Sequence, residues 1–442
     1  MDASSWRNFP ARAGFLLEHV TALSPRLALA AAALAGAFAA PATAATVPGE
    51  VVVGYKGDPA PHVLHVADPA ATIARLTARD DVRYAVRNAV ARASAAYLPD
   101  DPGRGTKPGR WAAVQWNFAG PAGVNAPDAW GHLIAAGRPG GQGVKVAVLD
   151  TGVAYRAFGK TPASPDLAGT HFVQGHDFVG DDPYANDRNG HGTHVASTIG
   201  EATNNKVGLT GLAYGASIMP IKVLDDDGEG DAAVIAKGVR YAAAHGAKVI
   251  NLSLEFSAEV GWQQIPQLID AIAEARRKGA VVVAASGNEA DTVVAYPARN
   301  GNVLSVGSTT EHGCLSDFSN QGAGLDLVAP GGGPDAPLED PGCTQSGPSG
   351  RNIAQMTLIG VHHTRFGIPR GYQGTSMAVP HVSATAALVI ASGVLGPNPS
   401  PDAVERRLEA TARDLGPAGY DTRYGYGLID AAKATDPAVP VG

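Results

Sequence analysis

The chain has 442 residues, 45% of them hydrophobic, with 34 basic against 41 acidic side chains and a net charge of −7. That suffices for one large α/β domain with appendages. The charges are interspersed, with no basic stripe and no acidic block, so a nucleic-acid partner and a charged tail are both excluded as expectations. Residues 1–44 read as a secretory leader. Arg7, Arg12 and Arg26 precede the uncharged Ala/Leu-rich run 27–40, and Pro41-Ala42-Thr43-Ala44 offers an A-x-A cleavage pattern. The run is too short for a membrane span, with an uncleaved anchor as the alternative. Next come a strand at Glu50–Lys56, a helix over Ala70–Ala78 and a strand at Val82–Val90, a small α/β unit within 45–97. A disordered spacer is the competing reading there. The Pro/Gly/Asp-rich stretch 97–110 reads as a linker.

From there strands and helices alternate. Strands are expected at Gly143–Leu149, Ser217–Leu224, Lys248–Leu254, Ala280–Ala285, Val303–Gly307 and Leu325–Ala329. Helices are expected at His191–Gly200, Asp231–His245, Leu268–Lys278 and Ser383–Ala391. Continuous apolar strands between amphipathic helices imply a parallel sheet covered on both faces. Sites in such sheets form beyond the carboxyl ends of the strands. Asp150, Ser253 and Asn288 all stand at such ends, which predicts one shared cleft.

One motif carries chemistry. In Gly374-Thr375-Ser376-Met377-Ala378-Val379-Pro380-His381 a serine stands between a flexible glycine and an apolar helix. A helix N-terminus offers unpaired N–H groups and a positive dipole end. A serine hydroxyl becomes a nucleophile only when a base takes its proton and an acid orients that base. Both partners lie upstream. Asp150 follows the strand pattern Val144–Leu149, and His191 opens a helix in Asn189-Gly190-His191-Gly192-Thr193-His194.

The three motifs, in the order Asp150, His191, Ser376, resemble the subtilisin-like serine proteases, or subtilases, over about residues 111–433. The resemblance implies an α/β, three-layer fold with a mostly parallel sheet between helices, preceded by a small α/β propeptide over 45–97. The catalytic domain would span 98–442. It implies a secreted serine endopeptidase, with Ser376 as nucleophile, His191 as general base and Asp150 as its orienting acid. His194 is the rival base, and His381 reads as structural. Ala284-Ala285-Ser286-Gly287-Asn288-Glu289 resembles the oxyanion-hole segment, with Asn288 as donor. Asn251-Leu252-Ser253-Leu254 resembles the strand that pairs with substrate, so Ser253, Leu254, Glu255 and Gly287 are expected to line the substrate site. Subtilases usually continue with two glycines, whereas Glu255-Phe256 follows here.

The loop 203–209 resembles the family's calcium loop, and the resemblance implies structural Ca²⁺ held by Asp166, Thr203, Asn205, Val207 and Leu209, with Gln115 as a further ligand. Asp181, Asp182 and Asp187 resemble an auxiliary calcium loop, with an exposed polar turn as the alternative. No organic cofactor is implied. Export permits a disulfide between Cys314 and Cys343, two separate buried thiols being the alternative. The expected partners are protein and peptide substrates and the chain's own propeptide, with a monomer and no stable membrane anchor. Three other readings stay open: an inactive binding protein of this fold, a protease restricted to one processing target, and an esterase. The absent G-x-S-x-G elbow disfavours the last.

Overall fold

The computed structural model describes residues 46–89, 96–337, 343, 350–360 and 362–440. The expected leader and residues 90–95 at the end of the expected α/β unit lie outside the described residues. The first unit holds β1 (Thr46–Tyr55), β2 (His62–His65), α1 (Pro69–Thr77) and β3 (Val82–Ala89). Its sheet is antiparallel in the order β2-β1-β3. Asp68 caps α1 by accepting from the Ala71 N–H at 3.0 Å. Val51, Val53, Leu76, Val82 and Ala85 form a small core of their own. The strand, helix and strand expected here are present. The short β2 was not expected, because His62-Val63-Leu64-His65 has no alternating pattern and is largely exposed. It is held by pairing with β1.

Residues 97–110 are not a free linker. Trp111 donates from its indole N–H to the Pro99 carbonyl at 2.8 Å, and Tyr97 stacks edge-on against Trp130, ring centroids 6.2 Å apart. The Gly103 N–H bonds the Gly208 carbonyl at 2.7 Å. The polar composition is real, but several of its groups find partners far along the chain, as the Asp100 N–H does at Asn204 Oδ1 and Arg104 at the Pro369 carbonyl.

The elements that follow are α2 (Trp116–Ala119), α3 (Ala126–Ala135), β4 (Lys145–Asp150), β5 (His171–Phe172), β6 (His176–Asp177), α4 (His191–Gly200), β7 (Ser217–Lys222), α5 (Ala232–Ala244), β8 (Val249–Leu252), α6 (Pro266–Arg277), β9 (Val281–Ala285), β10 (Leu304–Thr309), β11 (Leu327–Pro330), α7 (Thr375–Ser392) and α8 (Pro401–Thr411). The main sheet runs β11-β10-β9-β8-β4-β7-β5, every pair parallel, with β6 also against β7. All five residues of β9 are buried, as a strand covered on both faces requires. One apolar layer packs α3, α4 and α7 on one face, and a second packs α5 and α6 on the other. This is the expected three-layer α/β architecture.

Helix α7 begins at Thr375, a full two turns before the expected start. It is long and apolar enough to cross a membrane by length and composition, but 78% of it is buried inside the protein as the core helix. Pro380 sits in its second turn, where its missing N–H leaves the Ser376 carbonyl without the usual helical donor. The Ser253 hydroxyl takes that place, donating to the Ser376 carbonyl at 2.8 Å. A proline that breaks a helix by local rules is thus tolerated through a contact from β8's end.

Candidate active site

Asp150 is the last residue of β4 and is fully buried. One of its carboxylate oxygens accepts from His191 Nδ1 at 2.8 Å and from the Thr151 N–H at 2.7 Å. His191 is the first residue of α4, half-buried, and its N–H is held by Asn189 Oδ1 at 3.1 Å. The close approach of this helix to the strand end depends on Gly192. A Cβ there would meet the Gly152 carbonyl at 2.2 Å and the Asp150 Cβ at 3.0 Å. Burial lowers the His191 pKa, but the Asp150 carboxylate outweighs it, and the net shift is upward.

Asp187 organises the approach to α4. Its two oxygens accept from Thr151 Oγ1, the N–H groups of Asn189, Gly190 and Thr193, and Thr193 Oγ1. These five bonds saturate it. The Asp182 carboxylate accepts from the Tyr184 N–H, and the Asp181 side chain is 95% exposed. The three aspartates therefore do not converge, and the auxiliary-loop reading gives way to an ordinary turn. The rival His194 is fully buried, donates towards the Ile353 carbonyl at 3.2 Å, and stacks on Tyr372 at 4.3 Å. Burial lowers its pKa to about 3. His381 is likewise buried between Asn117 and the Met377 carbonyl, its pKa lowered to about 4 by burial. Neither faces the cleft chemistry.

Ser376 is the second residue of α7 and half-buried. Its hydroxyl donates to the Ser253 carbonyl at 3.2 Å. It shares with His191 a cavity of about 600 Å³ that Ser253, Leu254, Glu255 and Phe256 also line. A second hollow of about 390 Å³ opens on the other side, bounded by His191, Asn288, Tyr372 and Ser376. Strand ends and a helix start thus bring together residues separated by more than two hundred positions.

Asn288 follows β9. Its side-chain oxygen accepts from the Thr375 N–H at 2.8 Å and from Thr375 Oγ1 at 3.1 Å. That fixes the amide so that Nδ2 points the other way, where it donates to both oxygens of Glu255 at 3.1 Å each. Gly287 before it has φ +118°, and a Cβ there would meet Asn320 Nδ2 at 2.0 Å. Gly287 therefore serves the turn's shape and close packing. Burial, and then the charge of Glu289, push the Glu255 carboxyl up to about 7. Sequence reasoning placed Glu255 in the cleft but did not find its bond to Asn288.

Away from the cleft, the structure also brings together Asp166, Thr203, Asn205 and Leu209. Asp166 accepts from Asn205 Nδ2 at 2.9 Å and the Leu209 N–H at 2.7 Å, while Asn205 Oδ1 accepts from the Val207 N–H at 2.8 Å. Two acids missed by sequence reasoning join them. Asp101, fully buried, accepts from Thr203 Oγ1 and the N–H groups of Asn204 and Asn205. Glu201, also fully buried, has no donor on either oxygen. Burial raises the pKa of Asp166 to about 7 and raises those of Asp101 and Glu201. Among the described residues no three acidic, histidine or cysteine groups converge as a ready-made metal site. The carboxylates of Asp101, Asp166 and Glu201 are hard oxygen donors that suit a hard cation, and Glu201 is left without a donor, while nitrogen donors occupy Asp101 and Asp166. Gln115 is corrected: its amide is bonded to the Thr210 N–H and carbonyl. Cys314 and Cys343 form a disulfide.

The subtilase family model matches residues 141–427. Subtilisin BL from Lederbergia lenta is 39% identical over 297 residues, 67% of this chain and 91% of its own length. Thermitase from Thermoactinomyces vulgaris is 36% identical over 338 residues, 76% of this chain and 99% of its own length. Among solved structures, a protease from Pseudoalteromonas arctica overlays with a TM-score of 0.59 at 30% sequence identity, covering 77% of this chain and 99% of that one. The strand-end acid, the helix-start histidine and the buried serine helix sit within the matched span, and the chain belongs to the subtilase family of serine proteases.

Proposed function

We propose that the protein is a secreted serine endopeptidase that works through Asp150, His191 and Ser376. The observation that carries the reading is the 2.8 Å bond from His191 Nδ1 to Asp150, with His191 and Ser376 lining the same cavity. Asp150 holds the Nδ1 proton, which leaves Nε2 as the basic nitrogen. The Ser376 hydroxyl, resting on the Ser253 carbonyl, turns to Nε2 as a peptide enters, gives up its proton and attacks the carbonyl carbon. The carbonyl's electron pair moves to oxygen, where Asn288 Nδ2 and the Ser376 N–H stabilise the oxyanion. The tetrahedral centre then collapses. The C–N bond breaks, His191 gives its proton to the leaving amine, and water repeats the sequence on the acyl-enzyme. The end of β8, from Asn251 to Leu254, pairs with the extended substrate backbone.

Residues 1–44 serve as a secretory leader, 45–97 as an inhibitory propeptide and 98–442 as the catalytic domain, active as a monomer. Asp166, Thr203, Asn205, Val207 and Leu209, joined by Asp101, would hold Ca²⁺, which would neutralise buried acids and tie the loop 203–209 to the segment 97–101. The test is hydrolysis of casein and acylation by a sulfonyl fluoride, wild type against Ser376→Ala. The wild type is expected to do both and the variant neither. An inactive wild type with intact fold would instead make this a binding protein.

A further inference from the structure

Glu255 follows the end of β8 and lines the cavity of His191 and Ser376, and nothing in the catalytic scheme uses it. Asn288 does not need it for placement, because Thr375 already fixes the amide with two hydrogen bonds. Glu255 is half-buried beside Glu289, and among the described residues no lysine, arginine or histidine forms an ion pair with either. Glu255 is partly desolvated while Glu289 is exposed, and the two like charges repel, so the site favours a visiting positive group. The cavity that Glu255 shares with His191 and Ser376 is lined by two more acids, Asp227 and Glu229, and by no lysine or arginine. Leu254 and Phe256 on either side supply apolar surface suited to an aliphatic stem.

We propose that Glu255, supported by Glu289, is the specificity-determining residue of this enzyme and selects a lysine or arginine at the residue that carries the scissile carbonyl. The position follows from the geometry. Asn288 Nδ2, the donor for that carbonyl's oxyanion, lies 3.1 Å from the Glu255 carboxylate, so the side chain nearest Glu255 belongs to the same substrate residue. A bound ammonium or guanidinium also draws the carboxylate from Asn288 and frees Nδ2 for the oxyanion. A neutral side chain leaves the donor bonded to a carboxylate, and the developing negative charge meets another. Selectivity therefore falls on kcat as well as on KM.

The proposal rests on the endopeptidase reading, and the experiment separates the two. Purified mature enzyme is given peptide substrates that differ only at that residue, as lysine, arginine, leucine or phenylalanine. Sulfonyl fluoride acylation counts active sites in each preparation. Wild type is expected to favour lysine and arginine by at least about tenfold in kcat/KM, the scale of a partly buried charge contact. Glu255→Gln is expected to bring the ratio near one, with kcat on basic substrates falling. Glu255→Gly is expected to move the preference to phenylalanine and leucine. Glu289→Gln should weaken the preference without abolishing it. Equal kcat/KM on lysine and phenylalanine in the wild type overturns the proposal, as does a ratio unchanged in the Glu255 variants. Casein hydrolysis without any such preference leaves the endopeptidase reading standing. No hydrolysis and no acylation removes both. The wild-type comparison decides even where a variant fails to fold.

Discussion

A carboxylate with one oxygen bonded to His191 and the Thr151 N–H, and its second oxygen buried without a donor, sets the charge balance at Asp150. Its pull keeps the His191 pKa above 6.5 despite burial. In the proposed mechanism only the neutral imidazole accepts the serine proton. A raised pKa keeps it protonated to higher pH, so the acid limb of kcat/KM against pH is expected to have its midpoint above 6.5. Activity is lost as pH falls through that midpoint. Asp150→Asn should move the midpoint down, measurable on the residual activity. A midpoint unmoved by that change would mean that another group limits the rate. At Asn288, replacement by alanine removes one oxyanion donor and is expected to lower kcat by two to three orders of magnitude, about 3 kcal/mol, with KM little changed. Steady-state kinetics on the folded variant check this.

Two short segments carry more than their sequence advertises. Pro380 leaves the Ser376 carbonyl open and the Ser253 hydroxyl fills the gap at 2.8 Å. Ser253→Ala should therefore cost about 1 kcal/mol of unfolding free energy, and less in a Pro380→Ala background, where a helical N–H can replace the hydroxyl. A denaturant-melt double-mutant cycle reads the difference, and strict additivity would refute the coupling. The loop 203–209 is the second. Its buried acids lie at neutral pH without a cationic partner among the described residues. Calcium at 100 times its dissociation constant is expected to stabilise the wild type by about 2.7 kcal/mol. Asp166→Ala and Asp101→Ala should each remove most of this while sulfonyl fluoride acylation persists. A melting temperature indifferent to chelator would leave the loop a plain turn.

Over the whole molecule, the Cys314–Cys343 disulfide closes a sequence separation of 29. In the chain-entropy account such a loop contributes about 3.5 kcal/mol, and a Cys314→Ser, Cys343→Ser protein should lose that amount in chemical denaturation. The N-terminal unit has a core distinct from the two layers around the main sheet, and the propeptide proposal has it cut away. Intact mass and N-terminal sequencing should place the start of secreted enzyme between residues 94 and 116. Ser376→Ala should keep the unit attached, because self-cleavage needs the nucleophile.

The parallel sheet and its helices were legible in the sequence because each rests on a local rule, whereas the three motifs were read through their resemblance to a known family. Buried strands need unbroken apolar runs, a strand-ending acid stands at a sheet's carboxyl edge, and a helix-opening histidine or serine needs its glycine neighbour. Other features depended on distant chain. Asp101 looked like part of a linker until Thr203, Asn204 and Asn205 came to it across about a hundred residues. Gln115 looked like a ligand until Thr210 took both ends of its amide. The start of α7 was misplaced because Pro380 forbids a helix locally, and only the Ser253 hydroxyl from another strand makes it acceptable. Glu255 was legible as an oddity. What it touches was decided by the tertiary structure alone, since a hydrogen bond is set by distance in space and side-chain type sets only its capacity to form one.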